Sequence, residues 1–284
     1  MDYRKKLLAK PGDKIRLKDY DPGWHGAHAD EKAAAEETAR HLDRITRQQI
    51  LLYGERKHSL LIVLQGIDAA GKDGTCWHVI SAMNPQGVTV TPFKVPTPEE
   101  HAHDFLWRVH PHAPALGRVA VFNRSHYESV LVERVHSLAP KSVWSKRYDA
   151  INAFEDLLQR SGTTILKFFL WISPEEQLRR FGERLEDPAR QWKISDSDYS
   201  ERALWDDYIA AFEAMLRKCS TERAPWFVIP SNHKWFRNLA VSQIIAATLE
   251  DLKMRMPAPT VDIAQIRAAY QAAAKDPAHP GKEG

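Results

Sequence analysis

The sequence predicts an α/β domain in three layers, with a parallel sheet of about five strands between two sets of helices. Short apolar runs recur along the chain, helix-like segments long enough for crossover connections separate them, and the first run ends in a glycine-rich turn. A chain of 284 residues can bury one core of this size, and 43% hydrophobic with 27% charged residues is globular usage, too apolar for a disordered protein.

The elements follow in order. Residues 1–29, rich in Lys, Asp, Gly and Pro, read as an arm that wraps the domain and ends at the turn-like DYDPGWHG. From Asp30 to about Glu55, Ala, Leu and Ile recur at helical spacing with charges between them, which predicts a long amphipathic helix. SLLIVLQG, from Ser59 to Gly66, is suited to a central strand buried on both faces. VTVTPFKV (88–95), GRVAVFN (117–123), TTILKFFLWIS (163–173) and PWFVIP (225–230) supply the other strands. The charged stretch 175–219, irregular at EDPARQWKISDSD and helical on either side, reads as a helical lid. A helix from about His233 to Met254 closes the core, and 276–284 (DPAHPGKEG) is expected to fray at the end of a single domain spanning 1–284.

A net charge of +3 argues against a nucleic-acid coat but leaves room for a local basic groove facing a polyanion. The start, MDYRKKLLAK, lacks the apolar core of a signal peptide, and no window approaches the roughly 20 apolar residues of a membrane span. A cytoplasmic protein without membrane partners is expected. Cys76 and Cys219 stand far apart with no second ligand pair, so neither a disulfide framework nor a zinc ribbon is expected.

The chemistry concentrates in GIDAAGKDGT, residues 66–75, between a predicted strand and a predicted helix. Gly66 and Gly71 with Lys72 directly after have the spacing of a phosphate loop. Its glycines let successive amides of Gly66, Ala69, Ala70, Gly71, Lys72, Asp73 and Gly74 turn inward, the following helix offers its positive end, and Lys72 adds a mobile charge. Asp73 stands where nucleotide triphosphatases carry a magnesium-binding Ser or Thr, and a helix-capping role is expected for it. Asp68, inside the loop, reads as a magnesium ligand or as the head of an Asx turn.

A second cluster follows the third apolar run, in NRSHYESVLVERVH (123–136). Asn123 and Glu128 are candidate metal partners, and Arg124 is placed either to grip a phosphoryl oxygen or to pair with a helix carboxylate. The lid adds Arg184, Arg190, Lys193 and Arg202, cations that either close over phosphates or form a solvated helical face, with Trp192 as a candidate base-stacking residue. His101, His103, His110 and His112 fall close together, but a spacing of two on a helix sends neighbours to different faces, so no zinc site is expected.

These residues resemble the family-2 polyphosphate kinases. The resemblance rests on GIDAAGKDGT, on FKVPTPEEHAHDFLWRVHPHAPALGRVAVFNRSHYE and on RLEDPARQWKISDSD, three ordered motifs spanning most of residues 58–210. It implies a P-loop kinase core with a helical lid, and a magnesium-dependent phosphotransferase, with manganese as a substitute, working reversibly between inorganic polyphosphate and nucleotides. Carried over by position, Lys72 matches the catalytic loop lysine, Asp68 the loop acid, Arg124 the arginine after the second motif, and Arg184 with Lys193 the basic lid. Many members have Asp where this chain has Asn123 and WYN where it has HYE; the NRSHYE form is similar to the subgroup that accepts both AMP and ADP, with GMP and GDP as alternatives. A homo-oligomer, up to a tetramer, is implied as well. Two rivals stand beside this reading: an ATP-dependent nucleoside monophosphate kinase, against which Asp73 speaks, and a non-catalytic polyanion-binding protein, against which the intact loop with Lys72 speaks.

Overall fold

Every residue of the segment Ser59–Gln65 is buried, so it can only be a strand with neighbours on both edges and helices on both faces. The computed structural model, which describes residues 1–275, places it there; the expected frayed tail, 276–284, lies outside the described residues. The strands are β1 (Leu8–Ala9), β2 (Ser59–Gln65), β3 (Val88–Pro92), β4 (Val119–Asn123), β5 (Thr163–Trp171) and β6 (Trp226–Pro230), in the order β1-β6-β5-β2-β4-β3. Every pairing from β6 across to β3 is parallel, as expected.

The sheet nonetheless has six strands rather than about five. Leu8 and Ala9, inside the arm, pair antiparallel with Phe227 and Trp226. Two residues are too short to show a period in sequence, and their role is to cover the free edge of β6, which would otherwise present unpaired backbone groups.

The longer helices are α1 (Glu31–Glu55), α2 (Lys72–His78), α3 (Arg147–Arg160), α4 (Pro174–Glu186), α5 (Ser197–Ala203), α6 (Trp205–Cys219), α7 (Lys234–Asp251) and α8 (Ile263–Ala274). Asp30 caps α1 by accepting from the Ala33 amide, and Arg56, in the left-handed region, ends it. Its buried residues Ala34, His41, Ile45, Gln49 and Leu52 recur at helical spacing, and the helix packs along α7. The lid region resolves into α4, α5 and α6 with an irregular connection between α4 and α5. The chain divides into a unit Met1–Met254, which holds the whole sheet, and a second unit from Arg255 that contains α8. None of the described helices is long and apolar enough to cross a membrane.

The core encloses an ion pair within a wider hydrogen-bonded group. Lys167 of β5 donates to Glu155 of α3 at 2.5 Å, to the Tyr127 hydroxyl at 3.0 Å and to the Cys219 carbonyl at 2.6 Å, using all three of its protons. Tyr127 in turn donates to Glu155 at 2.7 Å, and the His126 ring lies 3.3 Å from the same oxygen. Burial alone would raise the Glu155 carboxyl, but Lys167 and His126 overcome it and hold it below its ordinary value. The network fastens residues 126 and 127 to the sheet and so fixes the path of the chain leaving β4. Glu155→Leu should therefore cost about 3–5 kcal/mol of stability, because it strands the Lys167 charge, whereas Glu155→Leu with Lys167→Met should recover most of that loss in denaturant unfolding.

Candidate active site

The site begins where β2 hands the chain to the loop. A Cβ on Gly66 would lie 2.7 Å from the Leu170 carbonyl of β5, so only glycine lets the chain turn out of the sheet at that point. At the far end Gly71 has φ 106°, and a Cβ there would fall 1.9 Å from Nη1 of Arg237. Lys72 opens α2 and curls back over the loop, donating from Nζ to the Gly66 carbonyl at 2.6 Å and the Ile67 carbonyl at 3.3 Å. Its burial, and then the charge of Arg124, pull the ammonium down to about 8.

Gly71, not Asp73, occupies the N-cap of α2, and the capping role expected for Asp73 is corrected. Its carboxylate instead accepts from Asn123 Nδ2 at 2.8 Å and from Lys193 Nζ at 3.3 Å. Loop, strand end and lid thus meet at one side chain. These two donors hold the Asp73 carboxyl below its ordinary value although burial opposes them.

Arg124 follows β4 in the left-handed region, φ 61°, with its amide donating to the Leu64 carbonyl at 3.1 Å. Its guanidinium donates to Asp68 at 2.8 Å and lies 3.8 Å from Glu128, so the two carboxylates share one cation. The salt-bridge alternative for Arg124 is realised, with a loop acid as its nearer partner. No bond from the Asp68 carboxylate to a following amide, as an Asx turn requires, accompanies it among the described residues. Gln65 donates to Glu128 and to Ser125, both at 3.0 Å, and burial raises the Glu128 carboxyl despite Arg124.

A cavity of about 270 Å³ opens over this group, lined by Gln65, Asp68, Arg124, Glu128, His136 and Tyr208 among others. A second, of about 220 Å³, shares Val95, Arg124, Glu128 and Val132 with it and extends past Phe93, His101, His103 and Arg108. His103 stacks on Trp107 at 4.2 Å, while His110 and His112 set their edges against Phe154 and Phe93. Among the described residues no group of three or more His, Cys, Asp or Glu is arranged to hold a metal. Magnesium asks less than that: one or two carboxylates, waters and substrate phosphates suffice, and Asp68 with Glu128 beside the loop fits this donor set.

The other lid cations are placed differently. Arg184 lies 3.6 Å from Asp198 and over the ring of Phe181. Arg202 donates to the Pro174 carbonyl at 2.7 Å and to Gln177 at 3.0 Å, and Gln177 donates to the Asp68 backbone carbonyl at 3.1 Å, so Arg202 reaches the loop through Gln177. Arg190 pairs with Asp187 at 2.9 Å. Trp192 is 77% exposed, with Lys193 Nζ 5.1 Å above its ring.

Several functional side chains carried no sequence signal. Arg180 of α4 is buried and donates to the Ala69 carbonyl at 2.8 Å, the Ala70 carbonyl at 3.1 Å and the Asn232 carbonyl at 3.2 Å, while pairing with Glu176 at 2.6 Å. His136, Glu201 and Tyr208 form a hydrogen-bonded trio on the cavity wall, with His136 3.1 Å and the Tyr208 hydroxyl 2.8 Å from Glu201.

A family model described as Polyphosphate kinase 2 (PPK2) matches residues 28–257. The chain belongs to this family. The AMP/ADP-polyphosphate phosphotransferase of Meiothermus ruber is 50% identical over 256 residues, covering 90% of this chain and 96% of that protein. The ADP-polyphosphate phosphotransferase of Rhodopseudomonas palustris is 45% identical over 231 residues, 77% of this chain and 80% of the relative. The crystal structure of Polyphosphate Kinase 2 from Arthrobacter aurescens TC1 superposes with a TM-score of 0.92 at 41% identity, covering 96% of this chain and 97% of that one. With these likenesses the three-layer α/β architecture is the fold of the family. The loop geometry makes one expectation sharp: Gly71→Ala should leave the circular dichroism spectrum intact but displace the loop by an ångström or so, lowering phosphotransfer by about 10²-fold in a kinetic assay.

Proposed function

We propose that this polyphosphate-dependent nucleotide phosphotransferase moves a phosphoryl group reversibly between inorganic polyphosphate and both AMP and ADP, with guanine nucleotides as alternative acceptors. The observation that carries the reading is the meeting of two cavities at Arg124 and Glu128, beside a phosphate loop closed by Lys72. One cavity lies against the loop and suits the reacting phosphates; the other, apolar at Phe93 and Phe105, suits the remainder of a nucleotide. The name of the relative from Meiothermus ruber supports the dual acceptor.

Transfer needs no covalent enzyme intermediate. An oxygen of the acceptor's terminal phosphate attacks the end phosphorus of the polymer, the bond to the bridging oxygen breaks, and the shortened chain leaves with the electron pair. That oxygen is already anionic at neutral pH, so no general base is required. Lys72 and Arg124 neutralise charge on the transferred group, and Lys193, held at Asp73, brings the lid to the same place. Asp68 and Glu128 would hold magnesium, or manganese in its stead, which when bound screens the phosphate oxygens from one another. Asp73 weighs against the ATP-dependent kinase rival, because its carboxylate occupies the position after the loop lysine and is engaged by Asn123 and Lys193. A cytoplasmic location, consistent with two free thiols, and a homo-oligomer of up to four subunits belong to the same proposal.

Purified protein given magnesium and long-chain polyphosphate should form ADP from AMP and ATP from ADP, and Lys72→Ala should abolish both. Products only with ATP as donor would support the rival kinase, and no turnover with either donor the polyanion-binding protein. A second outcome concerns pH. The anion requires Lys72 protonated, and in the free protein Lys72 sits at about 8. Binding therefore takes up a proton above that value, and the KM for polyphosphate should rise as pH climbs past it, by up to about tenfold per unit, while staying level below. A KM flat across this range would exclude Lys72 as the titrating group.

A further inference from the structure

Arg237, on α7, is a buried cation that the proposed chemistry leaves unused. It is 2% exposed, and its guanidinium lies against the backbone of the loop glycines. Nη1 is 1.9 Å from where a Cβ of Gly71 would sit, and Nη2 is 2.9 Å from the corresponding point on Gly74. Its Nε and Nη2 donate to the neutral Asn238 side chain at 3.2 and 2.9 Å.

Among the described residues, buried Lys72 donates to the Gly66 and Ile67 carbonyls, and two other buried cations have carboxylates. Lys167 has Glu155, and Arg180 has Glu176. Among the described residues no carboxylate pairs with Arg237. Burial, and then the charge of Arg180, pull its guanidinium down to about 10, so it stays charged at neutral pH with a second cation for a neighbour. Taking such a charge out of water without a counter-ion is costly, and a methionine would fill much the same volume without that cost.

We propose that Arg237 is a positioning residue for the phosphate chain: its charge, uncompensated in the free protein, is balanced by the phosphoryl groups that enter the loop. The inference rests on the reading of the loop as the polyphosphate site. Arg237 acts through the glycine backbone it presses on. Because the region between it and the loop interior is protein, its field is screened little by solvent. Gly71 and Gly74 are required on this account for closeness, and Gly71 for conformation as well, since a side chain at either would push the guanidinium away.

The test compares wild type, Arg237→Gln and Arg237→Lys in three measurements: thermal midpoint of the unliganded protein, calorimetric binding of tripolyphosphate, and the separate KM values for polyphosphate and AMP. In Arg237→Gln the unliganded midpoint should hold or rise, tripolyphosphate binding and the KM for polyphosphate should weaken by about tenfold, and the KM for AMP should stay unchanged. Arg237→Lys should restore most of the affinity. A packing role predicts the reverse: a lowered midpoint or an unfolded Arg237→Gln protein, or a folded one that binds tripolyphosphate as wild type does, and any of these overturns the inference. Wild type that binds AMP but not tripolyphosphate overturns the underlying polyphosphate reading, so the two failures are told apart by which protein fails.

Discussion

The site depends on how the outward face of the phosphate loop is satisfied. A loop that turns its amides toward an anion must turn carbonyls away from it, and buried carbonyls need donors. Arg180 supplies them for Ala69 and Ala70 and, from the same guanidinium, for Ser231 and Asn232 at the end of β6. Gln177, on the same face of α4, supplies Asp68. The first helix of the lid is thereby the outer wall of the loop. α4 cannot leave without stripping the loop of these donors.

Charge balance around the loop follows from that arrangement. Lys72, Arg124, Arg180 and Arg237 crowd one end of the sheet, and Asp68, Glu128 and Glu176 stand among them. Arg124 bridges Asp68 and Glu128, while Glu176 is shared between Arg180 and Arg179. Arg124 is partly open to water, whereas Lys72, Arg180 and Arg237 are buried. On the proposed reading, a polyanion entering the loop would balance these charges, the electrostatic form of preorganisation.

The layers, the five parallel strands and the glycine turn that follows the first of them were legible because they are written in contiguous residues: an apolar run, a glycine turn, a helical period. Asp68, Lys72, Asp73, Asn123, Arg124, Glu128 and Lys193 were likewise named from motifs; the fold joins Asp73 to Asn123 and Lys193, and Arg124 to Asp68 and Glu128, with Lys72 on the loop carbonyls. What was not legible depends on distance in sequence. Arg180 and Glu176 are spaced four apart on a helix, a pattern that ordinarily marks a solvated pair, and only tertiary packing makes Arg180 a brace for residues 69 and 70. Arg237 lies in an unremarkable apolar helix, far in sequence from the glycines it touches. Arg202, read either as a phosphate cation or as part of a solvated face, donates from Nη1 to the Pro174 carbonyl and to Gln177, contacts that its charge alone does not reveal. β1 escaped because two residues cannot display a strand's period.

Asn123 shows how the departure from the family pattern is accommodated. Its amide donates to Asp73 at 2.8 Å, and an aspartate in its place would set two carboxylates against each other with Lys193 as the cation in reach. A neutral donor at the strand end lets the carboxylate at 73 stay ionised, and that carboxylate then fastens the lid through Lys193.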